Sequence, residues 1–137
     1  VGAPPKGAEL DAFGRQIDPS GLAEVLEMVR RDYGNPPVLI TENGCSDVFG
    51  DGPGVIDDGF RCDYLRRHLE AVKSAMEAGS RIGGYFTWTL IDNWEWDIGY
   101  TSKFGLVAMD RATGVRTPKT SYGWFKGVAT TGMLPAA

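Results

Sequence analysis

Apolar positions along the chain repeat with two different periods, and the periods alternate. Leu22, Leu26, Val29 and Tyr33 follow one another at intervals of four, three and four residues, which marks one apolar helix face. Asp18 and Pro19 stand where an N-cap and a first helical residue belong, and Gly34-Asn35-Pro36 provides the stop. Val38-Leu39-Ile40-Thr41 then reads as a short, fully buried strand. A second helix is predicted where Leu65, Leu69, Val72 and Met76 repeat the interval, with Gly79 at its C′ position and Arg66, Arg67, Glu70, Lys73 and Glu77 on the outer face. The run from Gly84 to Ile91 reads as another buried strand, rich in aromatic and β-branched residues. A short extended piece at Leu106 to Met109 and a turn at Asp110 to Gly114 follow, and Thr117-Pro118 is expected to open a last helix ending near Thr131. Residues 1–17 lack a period and are expected to be irregular, as is the Gly- and Asp-rich stretch 44–59.

Helix, strand, helix, strand, helix is the order of an α/β protein with parallel strands. Two strands cannot close a sheet, however, and leave edges exposed on both sides. The composition is globular, with 42% hydrophobic and 23% charged residues over 137 positions. The 19 glycines are about twice the usual share of about 7%, which fits many turns. A net charge of −4 without a basic run argues against a nucleic-acid partner, and no apolar stretch is long enough for a membrane span. The N-terminus has no signal-peptide pattern, and a start at Val rather than Met suggests a processed product or a piece of something longer. An intracellular, cytoplasmic protein is the default expectation, with any leader lying upstream of Val1. Cys45 and Cys62 are expected to be free thiols.

In parallel α/β proteins the chemistry sits where strands end and loops lead into helices. Two such places carry reactive residues. Thr41-Glu42-Asn43-Gly44 puts a carboxylate at the end of the first strand. The segment Trp88 to Asp97 gathers Trp88, Trp94 and Trp96 with Asp92, Glu95 and Asp97. Aromatic faces suit sugar C–H surfaces and carboxylates suit sugar hydroxyls, so the mixture favours a carbohydrate. Two carboxylates flanking a glycosidic bond are the basic equipment of glycoside hydrolysis, and by spacing Glu42 could pair with Asp92, Glu95 or Asp97. His68, the single histidine, lies among arginines and is expected at the surface. Without a metal-ligand cluster, a dinucleotide fingerprint or a phosphate loop, no cofactor is expected, and Cys45 lacks an imidazole to activate it.

Three stretches resemble glycoside hydrolase family 1, the β-glucosidase and β-galactosidase group of (β/α)8 barrels. Pro37 to Gly44 resembles the seventh strand with its Thr/Ser-Glu-Asn-Gly nucleophile motif. Gly84 to Trp96 resembles the eighth strand and the loop after it. Phe104-Gly105-Leu106-Val107, with Arg116-Thr117-Pro118-Lys119 and Ser121, resembles the closing segment. The likeness runs from about Asp18 to Leu134, so that residues 1–17 form an irregular segment and 18–137 the C-terminal portion of a (β/α)8 TIM barrel, its last two βα units plus the preceding helix. The resemblance implies that Glu42 is the nucleophile, that Glu95 binds sugar hydroxyls, and that Trp88, Trp96 and Phe104 line the sugar subsite. Trp94 stands where the family usually has Phe. Family members for phosphorylated sugars typically carry a small residue at the position of Glu95, so an unphosphorylated β-glycoside is implied. The family's acid/base glutamate lies in an Asn-Glu-Pro motif that this chain lacks. The expected partners are therefore a β-glycoside or oligosaccharide substrate and the missing N-terminal part of the barrel. The competing reading is a non-catalytic carbohydrate-binding or scaffold fragment.

Overall fold

The computed structural model describes residues 3–47 and 54–135, so part of the loop expected over 44–59 lies outside the described residues. The first helix, α1, spans Pro19–Asp32. Asp18 caps it as the sequence predicts: its Oδ1 accepts the Gly21 N–H at 3.0 Å, filling one of the donors a helix N-terminus leaves open. Strand β1 is Val38–Asn43, helix α2 is Gly59–Glu77 and strand β2 is Ile82–Thr87. β1 and β2 pair in parallel, with Ile40 opposite Tyr85, and α2 is the crossover between them. Strands β3, Val107–Met109, and β4, Arg116–Pro118, form an antiparallel hairpin that leads into α3, Thr120–Thr131. The turn at 110–114 is held by Asp110, whose Oδ1 accepts the N–H groups of Ala112 and Thr113 at 2.9 and 2.8 Å.

Two apolar clusters hold these layers together. Leu26, Ile40, Val72 and Ala75 join α1, β1 and α2, with Tyr85 packed against them from β2. Cys45, Tyr64, Leu65 and Leu106 form the second, and Tyr122 and Phe125 of α3 pack against it.

Five expectations need correction. Neither strand is buried on both faces: in β1 only Ile40 is buried, while Leu39 is 61% and Phe86 of β2 is 57% exposed. Helices cover one side of the pair, and among the described residues nothing covers the other. The inner face of α2 is Arg61, Tyr64, Leu65, His68, Val72 and Ala75, which keeps Leu65 and Val72 of the predicted stripe but is rotated enough to leave Met76 half exposed. His68 is consequently not at the surface; it is 3% exposed, stacked on Tyr64 at 3.9 Å between ring centroids. Thr117 and Pro118 close β4 instead of opening α3, and the cap position falls to Lys119, whose ammonium has no acceptor to offer the open N–H groups and pairs in the interior with Asp47 and Asp92.

The predicted second strand is also shorter than the run to Ile91. After Trp88 the chain leaves β1 and pairs with 104–107 instead: Thr89 donates to the Phe104 carbonyl at 3.1 Å and Leu106 donates back to Thr89 at 2.9 Å. This closes 93–103 into a loop at the carboxyl end of β2. Residues 3–17 contain only an isolated bridge, Leu10 with Gln16, yet Glu9 pairs with Arg67 of α2 and fixes the segment to the body.

Candidate active site

β1 delivers Glu42 next to its carboxyl end, and the following residues bind it to β2. The Trp88 N–H donates to the Asn43 carbonyl at 2.8 Å, and the Tyr85 hydroxyl donates to Asn43 Oδ1 at 2.6 Å. Gly44 passes so close to β2 that a Cβ there would lie 1.8 Å from the Trp88 carbonyl oxygen, so only glycine fits. Gly105 is constrained in the same way, a Cβ there falling 2.3 Å from the Asp92 backbone nitrogen. The Trp88–Thr89 peptide bond is cis.

The loop after β2 supplies the second group of residues. Glu95 donates its N–H to the Gly99 carbonyl at 2.7 Å, and a single 3₁₀ turn, Trp96–Ile98, sits inside that closure. Trp96 adopts φ +36° and leaves 81% of its surface exposed. For a bulky side chain this is a strained backbone state of the kind that collects at functional sites. Trp94 faces elsewhere, edge-on against Tyr100 at 5.3 Å.

Glu42, Trp88, Glu95 and Trp96 line one cavity of about 360 Å³, joined by Arg15 and Tyr64. Of the three carboxylates that spacing offered to Glu42, the structure brings Glu95 to it. Asp92 is turned inward, 5% exposed, and bound to Lys119 and the Gly105 N–H, while Asp97 is outside the cavity lining. Phe104, implied as a subsite residue, lies beneath the cavity: it is 3% exposed and covered by the Arg15 guanidinium, 5.0 Å above its ring. Arg15 and Tyr64 carry no sequence signal. The first lies in a stretch without a period, and the second is one more aromatic residue on a helix.

Beneath the site, charges hold the loops. Arg61, 1% exposed, reaches Asp58 at 2.8 Å and Asp47 at 3.0 Å, and donates to the carbonyls of Cys45 and Phe104. Lys119 links Asp47 at 2.6 Å to Asp92 at 3.2 Å. Asp58 accepts both the N–H and the hydroxyl of Ser121, tying the start of α3 to the start of α2. Burial pushes Asp92 above the usual carboxylate range despite the Lys119 ammonium beside it. It pushes the Cys45 thiol up to about 12, which leaves no thiolate for nucleophilic chemistry. Among the described residues no group of acidic, Cys or His side chains could hold a metal ion.

The sequence profile of glycosyl hydrolase family 1 matches residues 6–133. The chain belongs to this family. The family 1 match begins upstream of Asp18, and so takes in most of the segment expected to be irregular, Arg15 included. Among its relatives, a wheat (Triticum aestivum) β-D-glucosidase acting on a benzoxazinone glucoside is 52% identical over 110 residues, 78% of this chain and 19% of the relative. A bifunctional β-D-glucosidase/β-D-fucosidase from Bifidobacterium breve is 44% identical over 119 residues, 83% of this chain and 26% of that one. A family 1 β-glucosidase structure from Thermotoga maritima superposes with a TM-score of 0.89 at 34% identity, covering 97% of this chain and 30% of that chain. The chain thus spans about a fifth to a quarter of the length of these curated relatives. Its fold is that of the C-terminal part of a family 1 (β/α)8 barrel, which accounts for the uncovered side of β1 and β2.

Proposed function

We propose that the chain is the nucleophile-bearing part of a retaining β-glycosidase, β-glucosidase-like, that acts on terminal unphosphorylated β-D-glycosides. The observation that carries this reading is the single cavity in which Glu42, at a strand end, meets Glu95, Trp88 and Trp96. In the proposed reaction a Glu42 carboxylate oxygen attacks the anomeric carbon as its bond to the leaving oxygen breaks. A glutamate in the remainder of the barrel protonates that oxygen, then takes a proton from the water that releases the sugar and restores Glu42. Glu95 accepts hydrogen bonds from sugar hydroxyls, and the exposed Trp96 face packs on the sugar's C–H surface. Phe104 acts from below, as the floor on which Arg15 rests.

The partner this requires is the N-terminal remainder of the barrel, because the acid/base motif is not in this chain. The chain by itself is expected to be a sugar-binding scaffold without turnover. The assembled protein, treated with a 2-deoxy-2-fluoro β-glucoside bearing a good leaving group and digested, should carry the sugar on the peptide containing Glu42. Labelling on another carboxylate overturns the assignment.

A further inference from the structure

We propose that Arg15 is a positioning residue of the sugar cavity, holding the Glu95 carboxylate in place and cancelling its charge so that a neutral sugar meets one net negative charge instead of two. The proposal rests on reading this cavity as the sugar site. Arg15 is the cationic residue of a lining whose acidic members are Glu42 and Glu95. Its Nη2 donates to Glu95 Oε1 at 3.2 Å across a separation of 80 residues.

The arginine is itself fixed from three directions. Its guanidinium lies 4.7 Å from the Phe13 ring centroid and 5.0 Å from that of Phe104, both within cation–π range. Its backbone N–H is bound by Asp11 Oδ1 at 2.9 Å, while Asp11 Oδ2 takes the Ser46 N–H at 3.0 Å. Arg15 is thereby anchored to the loop that follows Glu42. The Glu95 side chain is 14% exposed and that of Arg15 48%, so the open side of the pair is the guanidinium. A guanidinium carries five N–H donors. One is spent on Glu95, and others remain for sugar hydroxyl oxygens.

Charge makes the role separable from packing. Without Arg15, Glu95 loses its tether and the lining carries two unbalanced carboxylates. A neutral ligand then loses a preorganised acceptor, while a cationic ligand gains an attraction. The guanidinium is half exposed and screened by water, so each effect is about fivefold.

The test is titration of the assembled protein, this chain together with the N-terminal remainder of the barrel, with methyl β-D-thioglucoside and with a protonated iminosugar, read by tryptophan fluorescence. In Arg15→Met the thioglucoside should bind about fivefold more weakly and the iminosugar about fivefold more tightly. Arg15→Lys should return both towards wild type. If Arg15→Met does not fold, Arg15→Gln carries the same expectation. Loss of both ligands together, no change in either, or a lysine variant that behaves like methionine overturns the proposal while leaving the sugar site standing. An assembled wild-type protein that binds neither ligand overturns the sugar-site reading itself, and this proposal with it.

Discussion

His68 and Tyr64 illustrate how much a single helical turn can decide. The histidine is stacked on the tyrosine ring, and its Nδ1 lies 2.8 Å from the Tyr64 carbonyl oxygen. Burial holds its pKa below the ordinary 6.5; the nearby Arg67 guanidinium acts in the same direction, while the carbonyl contact and the charges of Asp18 and Glu9 oppose it less strongly. The folded chain therefore binds fewer protons than the unfolded chain as pH falls through 6.5, so stability that is complete above this value is lost below it. Urea unfolding followed by tryptophan fluorescence at a series of pH values should give a midpoint that drops as the solution is acidified below about 6.5. In His68→Phe, which keeps an aromatic ring on Tyr64 but cannot titrate, the midpoint should stay level over the same interval. An equal drop in the variant would place the pH response elsewhere. Sequence gave the residue's identity and its arginine neighbours; its burial depended on which face of α2 turns inward.

That rotation belongs to the element scale. The stripe Leu65, Leu69, Val72 and Met76 is a correct sign of a helix, and its C-terminal end falls where Gly79 puts it. The face that packs is nevertheless set by what lies opposite, and opposite Arg61 lie two carboxylates and three carbonyls, those of Cys45, Lys103 and Phe104. Such a buried arginine looks, in sequence, like any solvated helix residue. Arg61→Met should destabilise the chain by about 3–5 kcal/mol, since it strips buried Asp58 and Asp47 of their common partner. A lower urea midpoint at unchanged slope is the expected reading, and a midpoint within experimental error of wild type would refute it. Backbone pairing explains the displaced start of α3. Thr117-Pro118 carries a good capping signature, but Leu106 receives the Lys119 N–H and β4 pairs with β3, so tertiary pairing outweighs the local preference.

For the molecule as a whole, the decisive feature is what the sheet lacks. β1 pairs only with β2 among the described strands, and Leu39, Phe86 and Leu90 are each more than half exposed. Unpaired strand edges beside apolar surface call for a neighbour. A barrel of this type has about 250 residues, and the chain holds two of its eight strands. The chain alone is expected to give no measurable release of p-nitrophenol from p-nitrophenyl β-D-glucoside. Addition of the N-terminal remainder should raise its melting temperature and restore hydrolysis together. Steady turnover by the purified chain would show that the acid/base glutamate is dispensable.

Local signals sufficed wherever neighbours in sequence are also partners in space. Asp18 caps the helix that it precedes, Asp110 closes its own turn, and the order of periods fixes a parallel α/β arrangement. The motif around Glu42 and the tryptophan-rich stretch marked the cavity because strand ends converge in any such sheet. Tertiary structure alone decided the contacts that join distant segments: Arg15 to Glu95, Asp58 to Ser121, and the Trp88 carbonyl against Gly44. It also moved Phe104 beneath the cavity and Asp92 out of contention. The physical reason is that charge pairing and close backbone approach depend on three-dimensional neighbours, whereas periodicity and capping depend on a few adjacent residues of one chain.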